Sequence, residues 1–245
     1  MAAAIKLQRP AGRRHAARFL AEGPNLVEAA LRRGLVEDLF ATEDAVARFG
    51  DLIGEAPVHE VTERAAKALS DTVNPAGLVA VCRLPEVPLS DVLAAAPRLV
   101  AVAVETSDPG NAGTLIRLAD AMGADALILA GESVDPYNAK CLRASAGSIF
   151  GLPVLQAPDT FELIAALRNT GFQVLATTLD GAALPVVDLA APTAWLFGSE
   201  AHGLAPEVAA AADTRVRIPM SGSAESLNVA AAAAICLYLS SQALC

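Results

Sequence analysis

The sequence predicts an α/β protein in which a small N-terminal α/β domain precedes a larger domain built on a parallel sheet. Short apolar strands alternate with helical segments along the whole chain. The run Leu99–Val104 is continuously apolar, as expected for a parallel strand that is covered on both faces. A stretch with three prolines separates the two series. We therefore expect a first domain at 1–84, a linker at 85–98 and a second domain at 99–245.

The N-terminal domain is predicted from short segments with strand or helix character. Glycine follows two of the helical runs, at Gly34 and Gly50, and Thr62 with Glu63 is typical of a helix start. The alternation of strands and helices indicates a small α/β sandwich. The predicted strands are 18–22, 36–40 and 78–82, and the predicted helices are 25–33, 43–49 and 62–69.

The C-terminal domain continues the same alternation on a larger scale. Ser226 is expected to cap a last helix that runs to Leu239. The predicted strands are 99–104, 126–130, 173–177, 194–197 and 215–218. The other predicted helices are 111–122, 138–144, 160–169 and 206–212.

The charge of the chain is unevenly distributed. The net charge of −9 argues against a nucleic-acid partner, because neutralisation of phosphates by Lys and Arg dominates such binding. However, residues 1–33 carry seven Lys or Arg against two Glu, whereas the remaining chain carries eleven against twenty-five. This asymmetry predicts a basic N-terminal arm on an acidic body, and charge alone leaves open a disordered tail without a partner.

Composition excludes several other classes. With 54% hydrophobic and 18% charged residues the chain can bury a sizeable core, and 4% aromatics argue against a base-stacking platform. The apolar run 229–239 is too short to span a bilayer, and the first ten residues lack the apolar core of a signal peptide. We expect a cytoplasmic protein without a membrane partner or a metal. The cysteines have no CxxC spacing and indicate buried apolar residues or terminal thiols rather than zinc ligands or disulfides; they are Cys82, Cys141, Cys236 and Cys245.

Three glycine-containing segments follow predicted strands and carry the polar residues of a candidate site. They are Asp108-Pro-Gly-Asn-Ala-Gly-Thr-Leu-Ile-Arg-Leu-Ala119, Leu196-Phe-Gly-Ser-Glu-Ala-His-Gly-Leu204 and Ile218-Pro-Met-Ser-Gly-Ser-Ala-Glu-Ser-Leu-Asn-Val229, here called the first, second and third motifs. Ligands of open parallel sheets bind beyond the carboxyl ends of the strands, and all three motifs fall there. Their glycines allow the backbone to approach a ligand closely. No GxxxxGK[ST] or GxGxxG pattern occurs, which disfavours nucleotide hydrolysis and dinucleotide binding.

In order and content the three motifs resemble those of the SpoU (TrmH-like) branch of the SPOUT RNA methyltransferases. The resemblance implies transfer of a methyl group from S-adenosylmethionine to a ribose 2′-OH of rRNA or tRNA. It also implies a deep trefoil knot in the C-terminal domain, a homodimer, and an N-terminal RNA-binding domain that resembles a ribosomal protein fold. The cofactor-binding residues implied by the match are Thr177, Leu196, Gly198, Gly203, Ile218, Met220 and Leu227.

The resemblance further implies the catalytic residues Asn111, Arg117, Glu200, Ser226 and Asn228. Arg117 is expected at the target ribose, where a guanidinium is a poor base but binds a phosphate or stabilises a developing alkoxide. Asn111 is expected to cap the helix that carries Arg117, and Glu200 to hold its loop or to orient Arg117. Ser226 and Asn228 are expected to satisfy helix N-terminal amides and to contact the substrate or a partner subunit.

Other functions are weighed against this one. A non-catalytic RNA-binding homologue of the same fold is the alternative, although it would be expected to lack Arg117 or Asn228. A serine hydrolase that uses Ser199 and His202 is disfavoured because the segment is not GxSxG. His202 has the chemistry of a base, but the family pattern does not require histidine there.

Overall fold

The computed structural model describes residues 1–54 and 56–244, and it contains two sheets, one built from strands of residues 18–83 and one from strands of residues 99–217. The N-terminal sheet has the strand order β1-β4-β2-β3, with β4 antiparallel to both β1 and β2. Its strands are β1 (Arg18–Glu22), β2 (Val36–Ala41), β3 (Val58–Glu60) and β4 (Leu78–Arg83). Its helices are α1 (Ala2–Ile5), α2 (Pro10–Ala16), α3 (Pro24–Arg32), α4 (Glu43–Ile53) and α5 (Glu63–Leu69).

The C-terminal sheet is entirely parallel and has the strand order β10-β8-β9-β5-β6-β7. Its strands are β5 (Leu99–Val104), β6 (Ala126–Ala130), β7 (Val154–Ala157), β8 (Gln173–Ala183), β9 (Thr193–Phe197) and β10 (Thr214–Arg217). Its helices are α7 (Pro109–Ala121), α8 (Ala139–Ser145), α9 (Thr160–Asn169), α10 (Pro206–Ala211) and α11 (Val229–Leu244), and α6 (Leu89–Ala94) lies in the predicted linker. Short 3-10 turns occur at Lys6–Gln8, Ser148–Phe150 and Leu184–Val186.

Both faces of the parallel sheet are buried, as the apolar run in β5 predicts. Alternate residues of β5 pack into different clusters: Ala101 lies with α7, α8 and α11, whereas Val102 lies with α6, α9 and α10. All six residues of β5 are buried. The α/β class and the parallel C-terminal sheet are therefore confirmed, and the trefoil knot stays a prediction.

The two halves of the chain share one core. Phe19 of β1 packs against Tyr137 and Phe150, with ring centroids 4.8 and 6.0 Å apart. Arg13 is 3% exposed, and its Nε donates to Oδ2 of Asp135 at 2.7 Å. Because this interface is apolar and contains a buried ion pair, cutting the chain at the linker would expose it.

The N-terminal arm is folded rather than free. No sequence pattern indicated α1 and α2, yet Ala4 and Leu7 are buried in the cluster that covers one face of the N-terminal sheet. Of the basic residues in this region, Arg13 is buried and Arg18 pairs with Glu37. The segment is therefore a packed helical layer rather than the disordered tail that charge alone left open, and its role as a basic arm stays a prediction.

Two helices end several residues later than the sequence predicts, and the last helix begins with a different cap. Helix α4 continues past Gly50 after an irregular residue, Phe49 (φ −120°, ψ 18°), and ends at Ile53 with Gly54 as its C-cap. Helix α11 continues past Leu239 to Leu244. The cap predicted at Ser226 is wrong, since Oδ1 of Asn228 accepts from the backbone N–H of Ala230 at 2.9 Å.

Candidate active site

A cleft of about 620 Å³ opens at the carboxyl ends of β8, β9 and β10. This strand-end cleft is formed by the end of β8, the second motif and the third motif, as the sequence predicts. Residues from these three segments line it, among them Thr177, Gly198, Glu200, His202, Gly203, Ile218, Met220, Ser226 and Leu227.

A larger cavity of about 960 Å³ lies between α2, the linker and α9. Its walls include Arg14, Val87 and Glu162, and no residue of the three motifs lines it. Volume alone would favour this cavity, but the polar residues and glycines that can perform chemistry converge on the strand-end cleft.

The loop of the second motif is closed by its own backbone. The N–H of Ser199 donates to the carbonyl of Gly203 at 3.2 Å, and the N–H of Gly203 donates back to the carbonyl of Ser199 at 2.9 Å. Gly203 has φ of +68°, and a Cβ on Gly198 would collide with the backbone of Gly203 and Leu204. Glycine is therefore required at both positions to turn the loop back on β9, which projects Glu200 toward solvent beside the cleft.

A hydrogen-bonded network joins the three motifs. Nδ2 of Asn111 donates to Oε1 of Glu200 at 2.6 Å, and Nδ2 of Asn228 donates to Oδ1 of Asn111 at 3.4 Å. The first bond is short and charge-assisted, and the second is long. Asn111 of the first motif thereby connects the second motif to the third at the strand ends.

Asn111 is free to make these bonds because it is not the helix cap. Oδ1 of Asp108 accepts from the backbone N–H of Asn111 at 2.9 Å, and Pro109 takes the first helical position. The predicted capping role of Asn111 is therefore wrong. Nζ of Lys140 donates to Oδ2 of Asp108 at 2.7 Å, and this bond, with the backbone N–H of Asn111, lowers the pKa of Asp108 below its usual value.

Most of the residues that the resemblance assigns to the cofactor line the strand-end cleft. Met220 and Leu227 line the cleft with apolar side chains that are 38% and 39% exposed. Leu196 is the exception. It is fully buried in the core cluster with α9 and α10, and only its carbonyl faces this region, accepting from Oγ1 of Thr177 at 2.9 Å.

Part of the cleft wall was not predicted. The pairing of β8 with β10 shifts between Arg215 and Val216, so that residues 177–181 bulge out of β8. Thr178, Leu179 and Asp180 of this bulge line the cleft, and Nη1 of Arg215 donates to Oδ2 of Asp180 at 2.9 Å. The Asp180-Gly pair is a turn signal that could have indicated the break in the strand.

Arg117 is the predicted catalytic residue that the single chain brings neither to the cleft nor to the network beside it. It is exposed on α7 and makes no hydrogen bond or ion pair within residues 1–54 and 56–244. From Asn111 it lies about 9 Å along the helix and about 120° around it. The Asn111–Glu200–Asn228 network therefore forms within one chain, whereas Arg117 faces solvent away from it.

The hydrolase alternative receives no support from the geometry. Oγ of Ser199 donates to the carbonyl of Gly203 at 3.5 Å, at the limit of a hydrogen bond. Across the described part of the chain, the ring of His202 has no hydrogen-bond partner, so Ser199 and His202 do not form a nucleophile–base pair.

The structure also shows the state of three cysteines and bears on metal and membrane binding. Cys82, Cys141 and Cys236 are free and buried, and burial raises the pKa of each thiol to about 12. Cys245 lies outside the described residues. Among residues 1–54 and 56–244, no group of three or more metal-ligating side chains occurs. In the same residues, no helix has the length and apolar character needed to cross a membrane.

Comparison with known proteins agrees with this geometry. Residues 98–238 match the SpoU rRNA Methylase family, and residues 3–80 match the MRM3-like substrate binding domain. The 23S rRNA (guanosine(2553)-2′-O)-methyltransferase of Bacillus subtilis is 36% identical over 90% of this chain and 87% of its own.

Solved structures are similar over the whole chain. The AdoMet-bound rRNA methyltransferase from Sinorhizobium meliloti has a TM-score of 0.86 at 32% identity, covering 100% of this chain and 94% of its own. The SpoU methyltransferase AviRb from Streptomyces viridochromogenes, in complex with AdoMet, has a TM-score of 0.86 at 30% identity, covering 98% and 95%. The family match spans more than half of the chain and includes all three motifs, so the protein belongs to the SpoU rRNA methylase family.

Proposed function

We propose that this protein transfers the methyl group of S-adenosylmethionine to a ribose 2′-OH of ribosomal RNA, within 23S rRNA. The observation that carries the proposal is the Asn111–Glu200–Asn228 network, which joins the three motifs beside a cleft at the strand ends. The names of the relatives support 23S rRNA as the substrate class. They also support an enzyme over the alternative of a non-catalytic RNA-binding homologue.

The strand-end cleft fits the proposed cofactor. A volume of about 620 Å³ falls in the range of small-molecule sites. Met220 and Leu227 offer apolar surface for an adenine, and Gly198 and Gly203 let main-chain groups approach closely. S-adenosylmethionine would supply an electrophilic methyl group on a sulfonium. Thr177, Gly198, Gly203, Ile218, Met220 and Leu227 would hold it, whereas the side chain of Leu196 serves the core.

In this proposal the network positions the acceptor side of the site. Glu200 fixes the amide of Asn111, whose oxygen faces Asn228, so all three side chains are ordered before a substrate arrives. Such order lowers the reorganisation needed in the transition state. Ser226, on the cleft wall just before α11, lies where it can contact the ribose or the cofactor.

Arg117 acts in the proposal from a second copy of the chain. A guanidinium is a cation with no acceptor for a proton, so in this proposal Arg117 stabilises the 2′-oxygen while the proton of that oxygen passes to solvent, or it binds the adjacent phosphate. Because Arg117 is exposed and turned away from Asn111, a neighbouring protomer has to present its own Arg117 to complete the site.

The dimer in this proposal pairs through α11 and α7. The outer face of α11 carries apolar side chains: Ile235, Tyr238 and Leu239 are 37%, 52% and 38% exposed. Helix α7 packs directly beside α11. An exposed apolar helix face next to a site that lacks one residue is explained by a two-fold contact that buries the face and supplies the residue.

In this proposal residues 1–84 bind the substrate RNA. Residues 85–98 are a linker, and residues 99–245 form the methyltransferase domain. Three cations between residues 6 and 14 make no ion pair within residues 1–54 and 56–244 and can contact phosphates, and we call them the N-terminal basic residues: Lys6, Arg9 and Arg14. Action on ribosomal RNA implies, within this proposal, a cytoplasmic protein.

The test uses the full-length protein. Calorimetry should detect S-adenosylmethionine binding that Leu227→Asp weakens strongly, since this change places a charge on the apolar wall. Phe161→Asp, at a 50% exposed site on α9, is the matched control and should bind normally. Absence of cofactor binding by the folded wild-type protein would refute the proposal.

A further inference from the structure

The loop 70–74 of the N-terminal domain presents an apolar residue to solvent. Val73 is 86% exposed, more than any other large apolar side chain among residues 1–54 and 56–244. Its neighbours Leu69 and Leu78 are 2% and 0% exposed. The loop therefore runs between two buried residues and presents its valine at the surface, and binding residues are concentrated on loops that a rigid scaffold holds in place.

The loop is held in place by one carboxylate. Oε1 of Glu22 accepts from Oγ1 of Thr72 at 2.6 Å and also from the hydroxyl of Ser70, and Oε2 accepts from the backbone N–H of Asp71 at 3.1 Å. The side chain of Glu22 is 10% exposed. Three donors on a nearly buried carboxylate order the loop in advance, so that a ligand would not have to supply that ordering.

The same loop is tied to the C-terminal domain. Nη2 of Arg143 on α8 donates to Oδ2 of Asp71 at 3.1 Å, and Nη1 of Arg143 lies 4.0 Å from Oε2 of Glu22. One turn earlier on α8, Lys140 binds Asp108, which caps the helix of the first motif. A short line of surface residues therefore connects the loop to the Asn111–Glu200–Asn228 network.

We propose that Glu22 is a positioning residue for substrate RNA and that the loop it holds is an RNA contact, with Val73 packing against a nucleotide. This proposal rests on the proposed function. RNA is the favoured occupant because the loop lies within residues 3–80, which match a substrate binding domain. Arg143 and Lys140 of α8, which pair with Asp71 and Asp108, also lie between the loop and the site. The contacted nucleotide would lie near the target nucleotide in space, on the same face of the enzyme.

The test measures RNA and cofactor separately, with 23S rRNA transcribed in vitro as the probe. Val73→Asp changes only an exposed side chain and should raise the Kd and KM for this RNA roughly tenfold, the effect of losing a buried valine contact. The cofactor Kd and the kcat at saturating RNA should not change. Val186→Asp, at a 79% exposed valine of the C-terminal half, adds the same charge and should leave RNA binding unchanged.

Glu22→Gln tests the positioning role with a side chain of the same size. It should raise the KM for RNA without lowering kcat. The control is Glu28→Gln in the same domain, which removes an exposed carboxylate that pairs with Arg32 and should have no effect. The double variant with both Val73→Asp and Glu22→Gln should raise the KM for RNA by less than the product of the two separate fold-changes, because both substitutions act on one loop.

The outcomes separate this proposal from the one on which it rests. If Val73→Asp binds 23S rRNA as well as Val186→Asp does, the loop is not an RNA contact, even where the wild-type protein methylates the RNA. If Glu22→Gln lowers kcat and cofactor affinity together with RNA affinity, Glu22 has only a structural role. If the wild-type protein binds S-adenosylmethionine but not the RNA, both the proposed substrate and this contact are wrong.

Discussion

The exposed face of α11 gives the sharpest prediction about assembly. Ile235 is 37% exposed in the single chain, and full burial of an isoleucine contributes about 1.5–3 kcal/mol. Covering the exposed third contributes roughly 1 kcal/mol per protomer, and two-fold symmetry doubles it. Ile235→Ala should therefore weaken a dimer by about 2 kcal/mol, which is roughly thirtyfold in Kd. Ile235→Glu should weaken it further, because two carboxylates would be desolvated.

The assay is sedimentation velocity over a concentration series. Phe161→Glu is the control, since α9 lies on the opposite face of the sheet and Phe161 is 50% exposed. Ala233 is unsuitable for this test because it is 0% exposed, so a charge there would disrupt the core of the protomer. A wild-type protein that stays monomeric at micromolar concentration, or an Ile235→Glu dimer of normal affinity, would refute the proposed interface.

Three further predictions concern the site and the RNA surface. Arg117→Ala and Glu200→Ala should each lower the rate of methyl transfer roughly a hundredfold. Mixed dimers of the two variants should regain activity, because one of their two sites has both residues. No recovery on mixing would show that Arg117 serves its own chain. Asp108→Ala should lower stability by about 1 kcal/mol at neutral pH, as loss of a helix cap does. Since the folded pKa of Asp108 is lowered, this difference should be present above its ordinary pKa and vanish as pH falls through the folded value, which paired acid titrations would check. Neutralising the N-terminal basic residues should weaken 23S rRNA binding. It should also reduce the slope of log affinity against log salt concentration by up to about 0.7 per lost phosphate contact. Arg32→Ala, which breaks a surface pair with Glu28, should change both quantities much less.

Sequence patterns predicted the central strands β5, β6 and β9 because they are buried throughout, but they missed the edge strand β7, which is only partly buried. The apolar run of β5 and the glycines of the second motif depend on local chemistry that one sequence displays. The convergence of the motifs also followed, since parallel strands end at one edge of the sheet. The strand-end cleft and the proximity of Asn111, Glu200 and Asn228 could therefore be predicted from the order of strands and motifs along the chain.

Tertiary contacts decided the features that the sequence did not reveal. Arg13 has the sequence context of a basic arm, but its partner Asp135 is 122 residues away and buries it. Asn111 and Asp108 are both good helix caps, and Pro109 at the first helical position selects Asp108. Leu196 belongs to the second motif, yet strand alternation turns its side chain to the far face of the sheet.

The central claim is that the chain methylates the 2′-oxygen of a ribose in ribosomal RNA. The most direct measurement incubates the full-length protein with methyl-tritiated S-adenosylmethionine and unmodified 23S rRNA, and then hydrolyses the RNA with alkali. Alkaline cleavage requires a free 2′-OH, so the account predicts tritium in one alkali-resistant dinucleotide, and roughly a hundredfold less of it when Arg117→Ala replaces the wild type. Tritium in a mononucleotide, which would indicate base methylation, or no transfer by a protein that binds both ligands, would contradict the account.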